Sequence, residues 1–208
     1  FDNVPLLSYI ILKAKCRDCS ANIESKYFIV ELVSALSFVF IFYLFGFSST
    51  TILFFILSIC FLIIIFIDLK HFIIPNEITY TLIGIGFLKS FDPTLNQYLF
   101  PNYINSLIGG GIGYSIIWLI IFIYKKLRNK EGMGLGDAKL LSALGFWFGW
   151  ISIPFILFFS SIVALGFALP SLMNKSKTMS SQIPFGPYLV LGCVLYLSLL
   201  EQIILYLN

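Results

Sequence analysis

The chain has 208 residues, of which 59% are hydrophobic and 11% charged, and its formal net charge is +3. Soluble domains carry about a quarter charged residues, so this composition excludes an ordinary soluble core and indicates a polytopic membrane protein. A mean hydropathy of +0.98 agrees. The net charge gives no reason to expect a nucleic-acid partner, because basic residues in membrane proteins chiefly set orientation. The four cysteines form no disulfide framework.

Apolar runs long enough to cross a bilayer recur along the chain. We therefore predict an all-α fold, a transmembrane bundle of about seven helices behind a cytoplasmic N-terminal segment. Its two regions are the cytoplasmic segment 1–26 and the transmembrane domain 27–208. The predicted helices, of which the third and fifth are short for a full span, cover 27–46, 51–67, 77–89, 104–124, 137–150, 152–170 and 186–207.

The cytoplasmic segment contains a pair of cysteines, Cys16 and Cys19, with two residues between them. A tetrahedral zinc site takes four ligands, of which this pair supplies two. The alternative is a pair of reduced thiols in a turn, and the spacing alone leaves both interpretations open.

Small residues and helix breakers mark the later part of the chain. Pro75 interrupts the chain after the second predicted helix, and Asn76 is an N-cap candidate for the third. The glycines that would permit close helix approach are Gly109, Gly110, Gly111, Gly113, Gly145 and Gly149.

The basic residues predict the orientation. If residues 1–26 are cytoplasmic and seven spans alternate, all of the 13 Lys and Arg residues except Lys89 face the cytoplasm. This asymmetry is the usual signal of membrane topology. It places Asp68 and Asp137 at the same cytoplasmic boundary, where they can meet.

Two acids stand at the ends of apolar segments. Asp68 follows an apolar run, and Asp137 lies among Gly134, Gly136 and Lys139. A carboxylate beside hydrocarbon is costly, so it is a functional hypothesis by default. Two close carboxylates share a proton, so one can activate water while the other polarises a peptide carbonyl. The two glycines would let the backbone approach a bound peptide and adopt positive φ.

Other interpretations stay open. Asp137 could cap a helix after a glycine-rich turn, and Lys139 could either hold its charge or anchor the chain at the cytoplasmic face. A transporter could use Asp68 and Asp137 as a proton relay, which predicts acids near the bilayer midplane and related halves. A purely structural scaffold would leave the paired acids unexplained.

Several short strings occur in one order along nearly the whole chain. They are NVPLLSY at 3–9, CRDC at 16–19, YFIVEL at 27–32, ID at 67–68, IPN at 74–76, EGMGLGDAKL at 131–140 and IPFGPYL at 183–189. In these strings the chain closely resembles the bacterial type IV prepilin peptidases. The resemblance implies an intramembrane aspartic protease of the GxGD class with Asp68 and Asp137 as its catalytic pair, and no cofactor for proteolysis.

The resemblance also suggests the surroundings of the pair and its substrates. Prepilins and pseudopilins would be cut at the cytoplasmic face of the bacterial inner membrane, with the lipid bilayer as the other partner; the oligomeric state stays open. The active-site loop would contain Gly132, Gly134, Gly136 and Lys139. The substrate groove would involve Pro75, Asn76, Phe185, Gly186 and Pro187.

Members of this family are often bifunctional and also N-methylate the new amino terminus with S-adenosylmethionine. The family typically has a further N-terminal helix and two CxxC pairs, whereas this chain opens at Phe1 and has one pair. Either that part is missing from the chain or this member lacks it. The resemblance makes zinc and S-adenosylmethionine candidate cofactors of the intact protein, and leaves methylation by this chain open.

Overall fold

The computed structural model describes residues 5–17, 19–95, 99–128, 134–173 and 184–207. Within these ranges the chain is built from eight α-helices and a single isolated β-bridge. The helices are α1 (Pro5–Ile11), α2 (Ser25–Phe45), α3 (Ser49–His71), α4 (Asn76–Lys89), α5 (Tyr103–Arg128), α6 (Leu135–Phe148), α7 (Ser152–Met173) and α8 (Gly186–Leu207).

The all-α prediction is confirmed. All seven predicted helices occur, as α2 to α8, with each end within four residues of its predicted position. The short helix α1 was not predicted; it lies within the segment assigned to the cytoplasm.

Four helices of the described chain are long and apolar enough to cross a membrane, which makes this a multi-pass membrane protein. They cover Ser25–Phe45, Ser49–His71, Tyr103–Leu127 and Ser152–Leu169. By contrast, α4 and α6 have 14 residues each. A helix of that length extends about 21 Å, less than the roughly 30 Å hydrocarbon core of a bilayer. In α8, residues Gly186–Leu200 form a further, shorter apolar stretch.

The chain divides into two compact units, Phe1–Leu62 and Ile63–Asn208. In the first unit, the rings of Tyr9 on α1 and Phe28 on α2 stack with centroids 5.0 Å apart. Phe45 on α2 stacks on Phe54 of α3 at the same centroid distance, 5.0 Å. Aromatic packing therefore connects the three helical segments of this unit. The predicted division after residue 26 concerns membrane topology and stays a prediction.

The second unit is organised around α6. This helix contacts α4, α5, α7 and α8. Its side chains Leu140, Leu141, Leu144 and Trp147 have no exposed surface. Because α6 is surrounded, the residues in its first turn are held by packing along the whole helix.

Helix α5 packs so closely against α6 that backbone atoms of the two segments are in contact. A Cβ atom built on Gly109 would lie 2.6 Å from the carbonyl carbon of Gly149, and one on Gly113 would lie 2.6 Å from the carbonyl oxygen of Leu141. No side chain fits at either place, so the predicted close approach is confirmed at Gly109 and Gly113. It was wrong for Gly111, where an added Cβ would have no heavy atom within 4 Å.

Side chains also donate hydrogen bonds to backbone carbonyls between the helices of this unit. Ser142 Oγ on α6 donates to the Gly110 carbonyl on α5 at 2.9 Å. The indole Nε1 of Trp147 donates to the Leu82 carbonyl on α4 at 2.8 Å. Lys89 Nζ, at the end of α4, donates to the Trp147 carbonyl at 2.8 Å. These bonds fix α4 and α5 to the central helix at several heights.

Candidate active site

Asp68 lies in the last turn of α3, with 4% of its surface exposed. The sequence predicted a helix ending at residue 67 with the acid beyond it, and this boundary was wrong because α3 continues to His71. The helix ends where Phe72 adopts a left-handed conformation, with φ of 57°. The Phe72 N–H donates to the Asp68 carbonyl at 2.9 Å, so the acid is part of a regular helical turn.

Asp137 lies in the first turn of α6, as predicted, and has 7% of its surface exposed. Gly134 is the N-cap residue of this helix, with extended φ and ψ of −81° and 146°. The described glycines with positive φ are Gly46 and Gly149. The expected positive φ at Gly134 and Gly136 was therefore wrong, because one caps the helix in extended conformation and the other is already helical.

Gly136 instead provides space for a neighbouring side chain. A Cβ atom on Gly136 would lie 3.1 Å from the Cβ of Ile74. Ile74 has 7% of its surface exposed and belongs to the short segment between α3 and α4. The missing side chain thus lets this segment pack directly against the first turn of α6.

Gly186, at the start of α8, contacts Asp68 directly. Its backbone N–H donates a hydrogen bond of 2.9 Å to Asp68 Oδ2. A Cβ atom on Gly186 would lie 3.1 Å from Ile74 Cδ1, so the same isoleucine side chain packs against Gly186 and Gly136. Sequence reasoning missed Ile74, since an isoleucine beside a proline carries no chemical signal.

The two acids therefore belong to one buried cluster. Ile74 contacts Gly136, the glycine beside Asp137, and Gly186, the glycine whose N–H is bonded to Asp68. The cluster brings together the end of α3, the start of α6 and the start of α8. Chemically, such a pair can hold one proton between two carboxyl groups, because both cannot ionise cheaply side by side.

Lys139 and Asn76 join the first turns of α6 and α4. Lys139 Nζ donates to Asn76 Oδ1 at 2.7 Å and lies 5.1 Å from the centroid of the Tyr80 ring. Asn76 is the first residue of α4 and Pro75 is its N-cap, so the predicted capping role of Asn76 was wrong by one position. Neither interpretation of Lys139 anticipated this amide partner.

The remaining predicted site residues are positioned as follows. The Pro75 carbonyl accepts a hydrogen bond from the Thr79 N–H at 3.2 Å. Pro187 is buried, and the ring of Phe185 lies 6.5 Å from that of Tyr188. Their place in a substrate groove stays a prediction. Gly132 lies outside the described residues.

Cys16 and Cys19 lie in the loop between α1 and α2, which is closed by a bridge between Lys15 and Asn22. In the described part of the chain, no group of three or more His, Cys, Asp or Glu residues could hold a metal ion. The residues described here therefore do not complete the four-ligand shell that structural zinc needs.

The fold and the site define a multi-pass membrane protein with two buried acids at helix ends. Residues 55–169 match the model of the type IV leader peptidase family, and residues 1–45 match that of the bacterial peptidase A24 N-terminal domain. The chain belongs to the type IV leader peptidase family.

Curated relatives support this assignment. The chain is 36% identical over 194 residues to the prepilin leader peptidase/N-methyltransferase of Aeromonas salmonicida (strain A449). The aligned region covers 92% of this chain and 64% of that protein. It is 33% identical over 193 residues to the protein of the same name from Pseudomonas aeruginosa, with coverage of 92% and 64%. The chain thus spans 64% of the length of each of these two relatives, which is less than two thirds. No solved structure matches significantly.

Proposed function

We propose that this protein is an aspartic endopeptidase that cleaves the leader peptides of type IV prepilins and pseudopilins. The observation that carries the proposal is the buried pair of Asp68 and Asp137, which the contacts of Ile74 with Gly136 and Gly186 place in one cluster where α3, α6 and α8 meet. The names of the relatives supply the substrate class, since they are prepilin leader peptidases.

The pair supports a reaction with two complementary proton positions. One carboxylate takes a proton from a water molecule, and the water oxygen attacks the carbonyl carbon of the scissile peptide bond. The other carboxyl, which is protonated, donates a hydrogen bond to the carbonyl oxygen as negative charge develops there. When the tetrahedral intermediate collapses, the C–N bond breaks and the leaving nitrogen takes a proton from the pair.

The distribution of charge supports a proposal for the place of cleavage. The proposed face is the cytoplasmic side of the bacterial inner membrane, because all of the 13 Lys and Arg residues except Lys89 fall on that side in the predicted topology. The hydrophobic helix of a prepilin would then lie in the bilayer while its leader junction reaches the two acids.

The test is cleavage of a model prepilin by the purified protein in detergent. We expect Asp68→Asn and Asp137→Asn each to lower kcat by about 10²- to 10⁴-fold, the range associated with positioned acid–base groups. Cleavage retained in both variants would contradict the catalytic role of the two acids. A wild-type protein that cleaves no prepilin would contradict the peptidase proposal and favour a proton relay.

Asp92→Asn is the matched control. Asp92 is exposed in the loop after α4, where Thr94 donates its side-chain hydroxyl and its backbone N–H to Asp92 Oδ1 at 2.7 and 2.9 Å. These hydrogen bonds hold the pKa of Asp92 below its ordinary value, so its substitution also removes a full negative charge. We expect Asp92→Asn to cleave at the wild-type rate.

The N-methylation in the relatives' names stays a prediction for the intact protein. The residues that match the N-terminal domain model, 1–45, include the cysteine pair. The described residues complete no metal site around it. No step of the proposed cleavage depends on zinc or S-adenosylmethionine.

A further inference from the structure

The start of α8 is bonded to one of the two acids. Gly186 is the first residue of α8, and its backbone N–H donates to Asp68 Oδ2 at 2.9 Å in a buried environment. The first N–H groups of a helix have no partner within the helix, so they are available to bind an acceptor in this way. Here the acceptor is a side chain of α3 that lies 118 residues away in sequence.

The contact leaves no space for a side chain at position 186. A Cβ atom there would lie 2.8 Å from Asp68 Oδ2 and 3.1 Å from Ile74 Cδ1. Ile74 is itself buried and packs against Gly136, so it has little freedom to move aside. Any larger residue at 186 would therefore push the Asp68 carboxyl away from its present position.

We propose that Gly186 is a positioning residue for Asp68. Its N–H fixes one carboxyl oxygen, which sets the rotation of the group and leaves Oδ1 to face water or the substrate carbonyl. This inference rests on the proposed peptidase function. It gives Gly186 a different role from that of a groove residue, because a groove residue would act on substrate binding, whereas a positioning residue acts on the chemical step.

The first experiment compares Gly186→Ala with a matched glycine substitution. We expect Gly186→Ala to lower kcat for a model prepilin by about 10- to 100-fold, the effect of losing one hydrogen bond to a charged group, with KM within about twofold of wild type. The control is Gly84→Ala in α4, where an added Cβ has no heavy atom within 4 Å, and we expect it to keep wild-type kcat. A raised KM with unchanged kcat would overturn the proposal.

A second measurement removes the donor without adding bulk, which keeps the proposal testable if Gly186→Ala does not fold. Replacing Gly186 by glycolic acid, introduced by nonsense suppression, exchanges its N–H for an ester oxygen. We expect a similar fall in kcat and a shift of the Asp68 carboxyl stretching band in the infrared spectrum. Asp68→Asn identifies that band by its loss. An ester variant with wild-type kcat and an unshifted band would overturn the positioning role.

The infrared band separates this inference from the proposed function. If the wild-type protein cleaves no prepilin, the peptidase proposal fails, but the band still reports whether the Gly186 N–H holds Asp68. If the wild type cleaves and the band of the ester variant does not move, only the positioning role fails.

Discussion

Replacing Gly109 by alanine should measure how strongly the backbone contact between α5 and α6 stabilises the protein. The added Cβ would lie 2.6 Å from the carbonyl carbon of Gly149 and 2.8 Å from the backbone nitrogen of Trp150. Backbone atoms cannot rotate away as a side chain can, so the two helices must separate. Overpacking of this kind costs about 1–3 kcal/mol. The better helix propensity of alanine returns about 0.5–1 kcal/mol of that.

Gly111 supplies the control within the same helix. It lies two residues further along α5, and an added Cβ there has no heavy atom within 4 Å. We therefore expect Gly111→Ala to stabilise the protein by about 0.5–1 kcal/mol, through helix propensity alone. Both variants gain the same helix propensity, so the difference between their free energies of unfolding equals the packing cost at Gly109. That difference of about 1–3 kcal/mol corresponds to roughly a 5- to 150-fold change in the unfolding equilibrium.

The assay is unfolding by increasing fractions of dodecyl sulfate in mixed micelles, followed by tryptophan fluorescence in a Trp118→Phe background, so that Trp147 and Trp150 give the signal. Trp147 is fully buried in α6, and Trp150 lies just beyond the end of that helix, so both report on the contact. If Gly109→Ala proved as stable as Gly111→Ala, the two helices would not be in backbone contact, and the reasoning would be refuted.

Two other hydrogen bonds yield predictions. Lys139→Met and Asn76→Ala should each lower prepilin cleavage by a few fold, because both remove the same 2.7 Å hydrogen bond. The double variant should be no worse than either single variant. Additive losses in this double-mutant cycle would contradict the prediction. Trp147→Phe should destabilise the protein by about 1–3 kcal/mol in the same unfolding assay, because it leaves the buried carbonyl of Leu82 without its indole donor. Trp150→Phe should change the stability little, because the Trp150 side chain is 45% exposed. Equal losses of stability in the two variants would count against the hydrogen bond from Trp147 to Leu82.

The helices could be predicted because their signals are strong and local. Apolar runs and the helix-breaking Pro75 predicted the positions of α3 and α4. Gly109 and Gly113 predicted that α5 packs closely against another helix, which is α6. The end of α3 could not be predicted, since a left-handed residue that stops a helix is usually glycine and here is Phe72.

The site could be predicted in part. The cost of a carboxylate beside hydrocarbon pointed to Asp68 and Asp137 before the structure showed both of them buried, and their catalytic role stays a prediction. The groups that hold them were not predictable in the same way. The donor to Asp68 is the backbone N–H of Gly186, and every residue except proline has such a group. The amide that binds Lys139 belongs to Asn76, which is 63 residues away in sequence. Contacts of this kind depend on three-dimensional packing and leave no pattern in the sequence.

The burial of the two acids has a consequence for how a substrate gains access. With 4% and 7% of their surfaces exposed, Asp68 and Asp137 are nearly closed to the surroundings, so under the proposed function some part of the site must shift when a substrate enters. The rigid side is α6, because backbone contacts with α5 and the hydrogen bonds of Ser142 and Trp147 hold it along its length.

In the segment between α3 and α4, Phe72 and Ile73 are less constrained than the buried Ile74. Phe72 and Ile73 have 50% and 63% of their surfaces exposed, and Phe72 already has an uncommon backbone conformation for a bulky side chain. Elements with few buried contacts open at the lowest free energy, and amide hydrogen exchange measures that opening residue by residue. Exchange in α6 should accordingly be slow and exchange around residues 72 and 73 fast. Under the proposed function, Asp137 would then keep its position while the chain at residues 72 and 73 opens to admit the peptide.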